Sequence, residues 1–254
     1  MPATYQILIT GVDYRQVKPQ HLHAVACMIL DDNPHHHESR KDWAVAPITE
    51  DDNGDVATLR LRTLSDTVEQ RMVGMRPGVR LVFGDQEGTV TSSPQLLAQT
   101  SWDTLASPDP TPPTSWTVTC VSPTSVSSHR RSSPLLTPSA VVGSLSRRWE
   151  SLHGQSGNRT GFCLPRLTER DLTNVWVSHI DGHTVEESIP HRTHESHGKK
   201  LMNGFVGTIT YRCDDANVAQ VVDSYLRFAE YAGLGPLTTH GFGTIQVTAH
   251  KSDA

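Results

Sequence analysis

The sequence predicts an α+β fold made of two tandem β-α-β-β-α-β modules, and three observations predict it. Residues 218–231 carry Val218, Val221, Val222, Tyr225, Leu226, Phe228 and Ala229 at the i, i+3, i+4 spacing of an amphipathic helix. That helix runs into YAGLGPLTTHGFGTIQV at 231–247, where Gly233, Gly235, Gly241 and Gly243 punctuate a loop and residues 244–248 alternate as a strand. Glycines there permit positive φ and close backbone approach to a partner. The residues alone equally fit a connector that needs sharp turns. Lastly, the polar, proline-rich SPDPTPPTS at 107–115 divides two segments of similar pattern.

The first module is expected over 1–112. An apolar strand at 5–11 leads to a helix over 19–30, with Pro19 in its first turn and Leu22, Val25, Ala26, Ile29 and Leu30 on one side. Asp31-Asp32-Asn33-Pro34 ends it, because the residue before a proline avoids the helical region. Strands follow at 44–48 and 57–64, then a helix over 65–73 capped by Ser65 or Asp66, then strands at 79–83 and 88–90. The second module, 113–254, reads as strand 116–121, helix 139–152, strands 175–178 and 204–211, helix 217–232 and strand 244–249. Strand, helix, strand, strand, helix, strand is the ferredoxin-like order.

At 254 residues, with net charge −5, composition does not announce a nucleic-acid binder. Distribution is more informative. Residues 1–115 hold 9 Lys+Arg against 15 Asp+Glu, and residues 116–254 hold 13 against 12. Arg130, Arg131, Arg147, Arg148, Arg159, Arg166 and Arg170 face only Glu150 and Glu169 within their span, which allows a basic face on an acidic protein. Cys27, Cys120, Cys163 and Cys213 are scattered and form no CxxC pair, as in a reduced cytosolic protein. No apolar run approaches about 18 residues and no signal pattern opens the chain, so a cytoplasmic location away from membranes is expected.

The segment from His35 to Trp43 is the strongest chemical candidate: His35, His36 and His37, then Glu38, Ser39, Arg40, Lys41 and Asp42. Cleaving RNA without a metal needs a base for the 2′-hydroxyl proton, an acid for the leaving 5′-oxygen and a cation for charge growing on phosphorus. Histidine titrates near neutrality and suits the proton steps. The same residues fit a solvated polar loop. A metal site has less support, since no Cys or carboxylate set with ligand spacing accompanies the histidines. No cofactor and no metal are expected. His191, His194 and His197 recur every third residue beside Arg192, Lys199 and Lys200, which suits an arm touching phosphates or a flexible polar loop. Arg147-Arg148-Trp149 would join phosphate charge to a stacking plane, or would cover core.

A helix, then G-x-G-x-x-T-x-x-G-F-G over 233–243, then a closing strand resembles the C-terminal signature of the CRISPR repeat-cleaving endoribonucleases of the repeat-associated mysterious protein (RAMP) superfamily. GFVGTITY at 204–211 resembles that family's preceding strand. Lys41-Asp42-Trp43 and Ala46-Pro47-Ile48 resemble its K-P-F and S-P-L-like segments, with Asp42 and Trp43 departing from the usual pair. Val121-Ser122-Pro123-Thr124 and LSRRW at 145–149 resemble the start of its second domain.

The resemblance implies that one of His35, His36 or His37 is the general base, with spacing favouring His35, and that Lys41 or Arg40 stabilises the transition state. Some relatives use a tyrosine in the first helix. None lies between Pro19 and Leu30, and His21 or His23 are the substitutes at hand. RNA contacts are implied for Arg130, Arg131, Arg147, Arg148, Arg192, Lys199, Lys200, Gly233, Gly235, Thr239, His240, Gly241 and Gly243. The implied activity is cleavage of precursor CRISPR RNA within repeats, giving 5′-hydroxyl and 2′,3′-cyclic phosphate ends. Repeat RNA is the expected partner, other CRISPR effector subunits are further candidates, and the protein is expected as monomer or homodimer. A non-catalytic RNA-binding RAMP subunit and a metal-dependent hydrolase are the rival readings.

Overall fold

The structure, a computed structural model, describes residues 1–31, 41–50, 56–128, 131–155, 164–192 and 197–251. The chain forms two compact units. One comprises Met1–Thr100 together with Leu237–Phe242, and the other comprises Ser101–Pro236 and Gly243–Ala254. The expected junction near 112 falls inside the second unit.

The first unit contains β1 (Ala3–Thr10), α1 (Pro19–Leu30), β2 (Trp43–Val45), β3 (Thr49–Glu50), β4 (Ala57–Thr63), α2 (Asp66–Gly74), β5 (Arg80–Phe83), β6 (Gln86–Val90) and β7 (Gln95–Gln99). Its sheet runs β2-β4-β1-β6-β5, with β3 beside β4 and β7 along the first half of β1. On β1 the alternation is regular: Ala3, Tyr5, Ile7 and Ile9 are buried and the residues between them are not. Period-two burial of this kind leaves one sheet face for the core. That core adds Leu22, Val25, Ala26 and Leu30 of α1, Val68 and Met72 of α2, and Trp43, Leu59, Leu61 and Phe83. Ser65 caps α2, its Oγ accepting from Val68 N at 3.5 Å.

The strand expected at 44–48 is broken into β2 and β3. Pro47 has no N–H to give the ladder, and pairing with β4 stops at Val45 and resumes at Thr49.

The second unit contains α3 (Trp102–Ala106), β8 (Ser115–Thr124), β9 (Val126–Ser128), β10 (Arg131–Ser133), α4 (Pro138–Gln155), α5 (Glu169–Leu172), β11 (Val175–Arg192), β12 (His197–Cys213), α6 (Ala216–Ala232) and β13 (Ile245–His250). The sheet order is β11-β12-β8-β13, antiparallel throughout. Numbering the module strands one to four, both units read 2-3-1-4, the ferredoxin-like order, with a helix after the first and third strands. The fold is therefore α+β with tandem ferredoxin-like modules.

One departure from the sequence reading concerns strand length. β11 and β12 are 18 and 17 residues long, far beyond the expected 175–178 and 204–211. Gly182 faces Gly207 across them, at φ 153° and 138°, and a Cβ on either would meet the other strand's backbone. Arg192, Lys199 and Lys200 consequently lie on paired strands and not on a loop.

For Trp149 the structure decides between the two readings the sequence left open. That residue is 2% exposed and packs edge-on to Trp102 and Phe228, with centroids 5.3 and 5.1 Å away. It offers no stacking plane to RNA. Its place is fixed by helical period, since Val142, Leu145, Trp149 and Leu152 share the buried side of α4.

Candidate active site

The site is built where α1 ends. Asp31 leaves the helix in extended geometry, and its N–H still donates to Cys27 O at 2.9 Å. Its carboxylate turns back into the unit. Oδ2 accepts from Lys41 Nζ at 2.7 Å, and Oδ1 accepts from Trp43 Nε1 at 3.1 Å. Trp43 is wholly buried at the start of β2, and the side chains of Lys41 and Asp31 are only 14% and 12% exposed. Burial alone would raise the Asp31 carboxyl, but the bonds from Lys41, Trp43 and Cys27 outweigh it and hold it below the ordinary value. Burial, and then the neighbouring Asp31, push the Cys27 thiol up to about 12, so it is no nucleophile.

A second element enters from the far end of the sequence. The turn Thr238–His240 packs beside α1 and β2. Thr239 O lies 3.1 Å from His23 Nδ1, and because a carbonyl only accepts, Nδ1 carries the proton. His23 Nε2 faces Cys27 Sγ at 3.5 Å. The rings of His23 and His240 stack with centroids 4.0 Å apart and 6° between planes. His23 also lies against Trp43, 5.7 Å between centroids. Burial, reinforced by His23, pushes His240 down to about 4, so it is neutral in the stack at ordinary pH. With both nitrogens engaged, His23 supports the site and is not a free proton carrier. The other substitute, His21, lies two residues earlier in the first turn of α1, where its Nδ1 accepts from Lys18 N at 3.4 Å.

The glycine-rich loop has its own internal logic. Gly233 ends α6 at φ 73°, and its N–H bonds to Ala229 O at 2.8 Å. A Cβ on Gly235 would meet Ser125 O, and one on Gly243 would meet Leu234 O. A Cβ on Gly241 would lie 2.9 Å from Leu22 Cδ1. Between these glycines Leu237 adopts φ 62°, the only positive φ of a non-glycine among the described residues. The loop is thus held in one shape by backbone contacts that a side chain at Gly235 or Gly243 would prevent.

His35, His36, His37, Arg40 and Arg130 lie outside the described residues. Arg131 and Arg147 are exposed on β10 and α4, and Arg148 beside them is half-buried. Arg166 is neutralised by two 2.7 Å bonds to Glu150. The sequence reading did not find Asp31, Cys27, or the stack of His23 on His240. Trp43 in place of the usual aromatic was the one available signal, since an indole N–H buried in a core requires an acceptor. Among the described residues no cluster of His, Cys, Asp and Glu could hold a metal ion, and no helix is long and apolar enough to cross a membrane.

Residues 118–245 match the family model of the CRISPR-associated endoribonuclease Cas6. No curated protein matches the chain. Among solved structures, a Cas6 (TTHA0078) product complex superposes with a TM-score of 0.71 at 20% identity, over 98% of this chain and 99% of that one. Thermus thermophilus Cas6 (TTHB231) gives 0.63 at 17% identity, over 98% of both chains. A RAMP protein binding different RNA substrates gives 0.57 at 10% identity, over 97% of this chain and 99% of that one.

Proposed function

Since the chain belongs to the CRISPR-associated endoribonuclease Cas6 family, we propose that it cuts precursor CRISPR RNA within each repeat, without a metal ion, by attack of a 2′-hydroxyl. The observation that carries this reading is the bond between Asp31 and Lys41, the described residues on either side of the histidine run in sequence. The sequence places His35, His36 and His37 between Asp31 and Lys41, and those two side chains are bonded to each other within the first unit. In this reading one of the three histidines takes the 2′-hydroxyl proton, the 2′-oxygen bonds to phosphorus, and the bond from phosphorus to the 5′-oxygen breaks. The 5′-oxygen receives a proton from an acid, leaving a 5′-hydroxyl and a 2′,3′-cyclic phosphate. A cation from Arg40 or Lys41 steadies the charge on the non-bridging oxygens.

Repeat RNA is the substrate in this reading, as the product complex of one similar Cas6 supports. Exposed Arg131 and Arg147, with Arg192, Lys199 and Lys200 on the β11–β12 arm, are the proposed phosphate contacts. Their function is to hold the backbone.

The test is incubation of the purified protein with its repeat RNA in EDTA, beside a copy whose cleavage-site 2′-hydroxyl is replaced by hydrogen. Cutting in EDTA that vanishes with the deoxy substrate is the expected result. Cutting abolished by EDTA would instead establish a metal-dependent hydrolase. Tight binding without cutting would establish an RNA-holding subunit.

A further inference from the structure

The sequence carries five tryptophans, and one of them stands apart. Trp43, Trp116 and Trp149 are buried, and Trp102 is half-buried against Trp149 and Phe228. Trp176, near the start of β11, is 38% exposed. The sheet decides which way it faces. On β8, Trp116, Val118 and Cys120 are buried while Ser115, Thr117 and Thr119 are not. The first set lies on the side that packs with the helices, and the second lies on the open face. β12 alternates in the same way, with Ile209 and Tyr211 buried, Thr210 half-buried and Arg212 exposed. Trp176 pairs with Arg212, so it shares the open face.

The register sets one row across the four strands: Trp176 on β11, Arg212 on β12, Ser115 on β8 and His250 on β13. The next row holds His179, Thr210, Thr117 and Thr248. Thr117 Oγ1 lies 3.0 Å from His250 Nε2 and 3.3 Å from Thr210 Oγ1, which ties the two rows together. Arg212 makes no ion pair with any described residue. The only carboxylate in the first three rows is Asp181, opposite Thr208 in the third.

An unpaired guanidinium beside an open indole complements a phosphate and the base attached to it. The cation suits the phosphate oxygens, and the indole face suits the ring. Hydroxyls and imidazoles offer donors and acceptors to base edges and 2′-hydroxyls. Four strands about 4.8 Å apart make a face roughly 14 Å across, and four-stranded RNA-binding sheets use such a face for two or three unpaired bases. A protein partner fits less well. The core of a protein interface is apolar, and Trp176 is the one large apolar side chain in these two rows.

We propose that the open face of the second unit's sheet, centred on Trp176 and Arg212, is a binding subsite for single-stranded RNA. A base stacks on Trp176 and its phosphate pairs with Arg212. This role rests on the reading of repeat RNA as the substrate, and it concerns the unpaired nucleotides of that RNA, because bases inside a duplex are already stacked on one another.

Binding of an oligouridylate of about ten nucleotides, followed by tryptophan fluorescence and by Kd at several salt concentrations, tests it. The RNA should quench the unmodified protein. W176F should keep most of the affinity while the quench largely disappears. W176A should weaken binding by roughly 5- to 150-fold. R212A should lower the slope of log K against log salt by about 0.7, and R212K should preserve it. A fully paired RNA should neither quench Trp176 nor distinguish W176A from the unmodified protein.

Equal Kd values for W176A, R212A and the unmodified protein would overturn the proposal. So would a dimer in sedimentation that W176A converts to monomer while RNA leaves Trp176 unquenched, since the face would then belong to a second copy. Should W176A lose its cooperative melt, the quench in W176F and the salt slope in R212A decide. None of these measurements requires cutting. A protein that binds through Trp176 and Arg212 but never cuts would refute the cleavage reading and keep this subsite. Cutting of repeat RNA by a protein whose oligouridylate binding ignores both residues would do the reverse.

Discussion

His23 and His240, from opposite ends of the chain, lie ring on ring at 4.0 Å with 6° between their planes. Two imidazolium ions at that distance would repel by about 4 kcal/mol at an effective dielectric of 20, so the stack does not hold two charged rings. Burial first, and His23 second, lower His240 from 6.5 to about 4. The unfolded chain therefore binds a proton that the folded chain refuses throughout that window. Stability is intact above pH 6.5 and falls as pH drops towards 4, by about 2 kcal/mol at pH 5 from this group. His240→Phe keeps an aromatic ring without a titration. Urea unfolding at pH 7 and pH 5 should show a smaller loss in the variant, and an equal loss in both would refute the assignment.

Catalysis should fail selectively at the histidine run. Replacing His35, His36 and His37 together by alanine is expected to cut the single-turnover rate by roughly 10²- to 10⁴-fold, the usual worth of a positioned acid or base. RNA binding measured by filter retention should change little. A variant that still cuts at the original rate would place the base elsewhere.

Phosphate contacts have a salt signature. If Arg147 meets a phosphate of single-stranded RNA, Arg147→Ala should lower the slope of log K against log salt by about 0.7. Arg166 is already held by Glu150, so Arg166→Ala serves as the contrast and should leave the slope nearly unchanged. Equal slopes for all three proteins would remove Arg147 from the interface.

Asp223 is 5% exposed and accepts from Trp116 Nε1 at 3.0 Å and Arg227 Nε at 2.8 Å. Arg227 in turn donates to Thr104 O and Ser107 O, which fixes α3 to α6. Asp223→Ala leaves a partly buried guanidinium and a buried indole N–H without their acceptor. A loss of about 3 kcal/mol is expected, read from the urea midpoint at constant m-value. A loss below about 1 kcal/mol would show the network to be dispensable.

Glycine substitutions separate conformational need from mere presence in a loop. Gly243→Ala meets both φ 65° and the Leu234 carbonyl, so it should cost well over about 1 kcal/mol. Gly74→Ala at the end of α2 meets nothing within 4 Å and should be neutral or mildly stabilising. Comparable melting shifts for the two would undo the argument.

Much of this fold was legible from pattern alone. Ala3 to Ile9 alternates, α1 and α6 carry apolar stripes, and Pro19 and Ser65 stand where helix starts require them. The long β11–β12 arm was not legible, because residues 179–203 mix glycine, charge and histidine without a clean period of two. Its order comes from cross-strand pairing between residues distant in sequence. For the site, spacing found Lys41 but not its partner. An ion pair ten residues apart across a helix end follows no helical or strand period, and the meeting of His23 with His240 follows from topology. Trp149 was read both ways, and packing decided for the core.

Six residues, Leu237–Phe242, belong to the first unit although they stand near the end of the chain. On a ribosome, where N-terminal domains ordinarily fold as they emerge, this one must wait. A nascent chain stopped after Thr100 has every strand of the first sheet, but no Thr239 carbonyl for His23 and no ring to cover it. The first unit is therefore completed only after residues 237–242 have been made, and an expressed fragment ending near residue 100 is an unfinished domain.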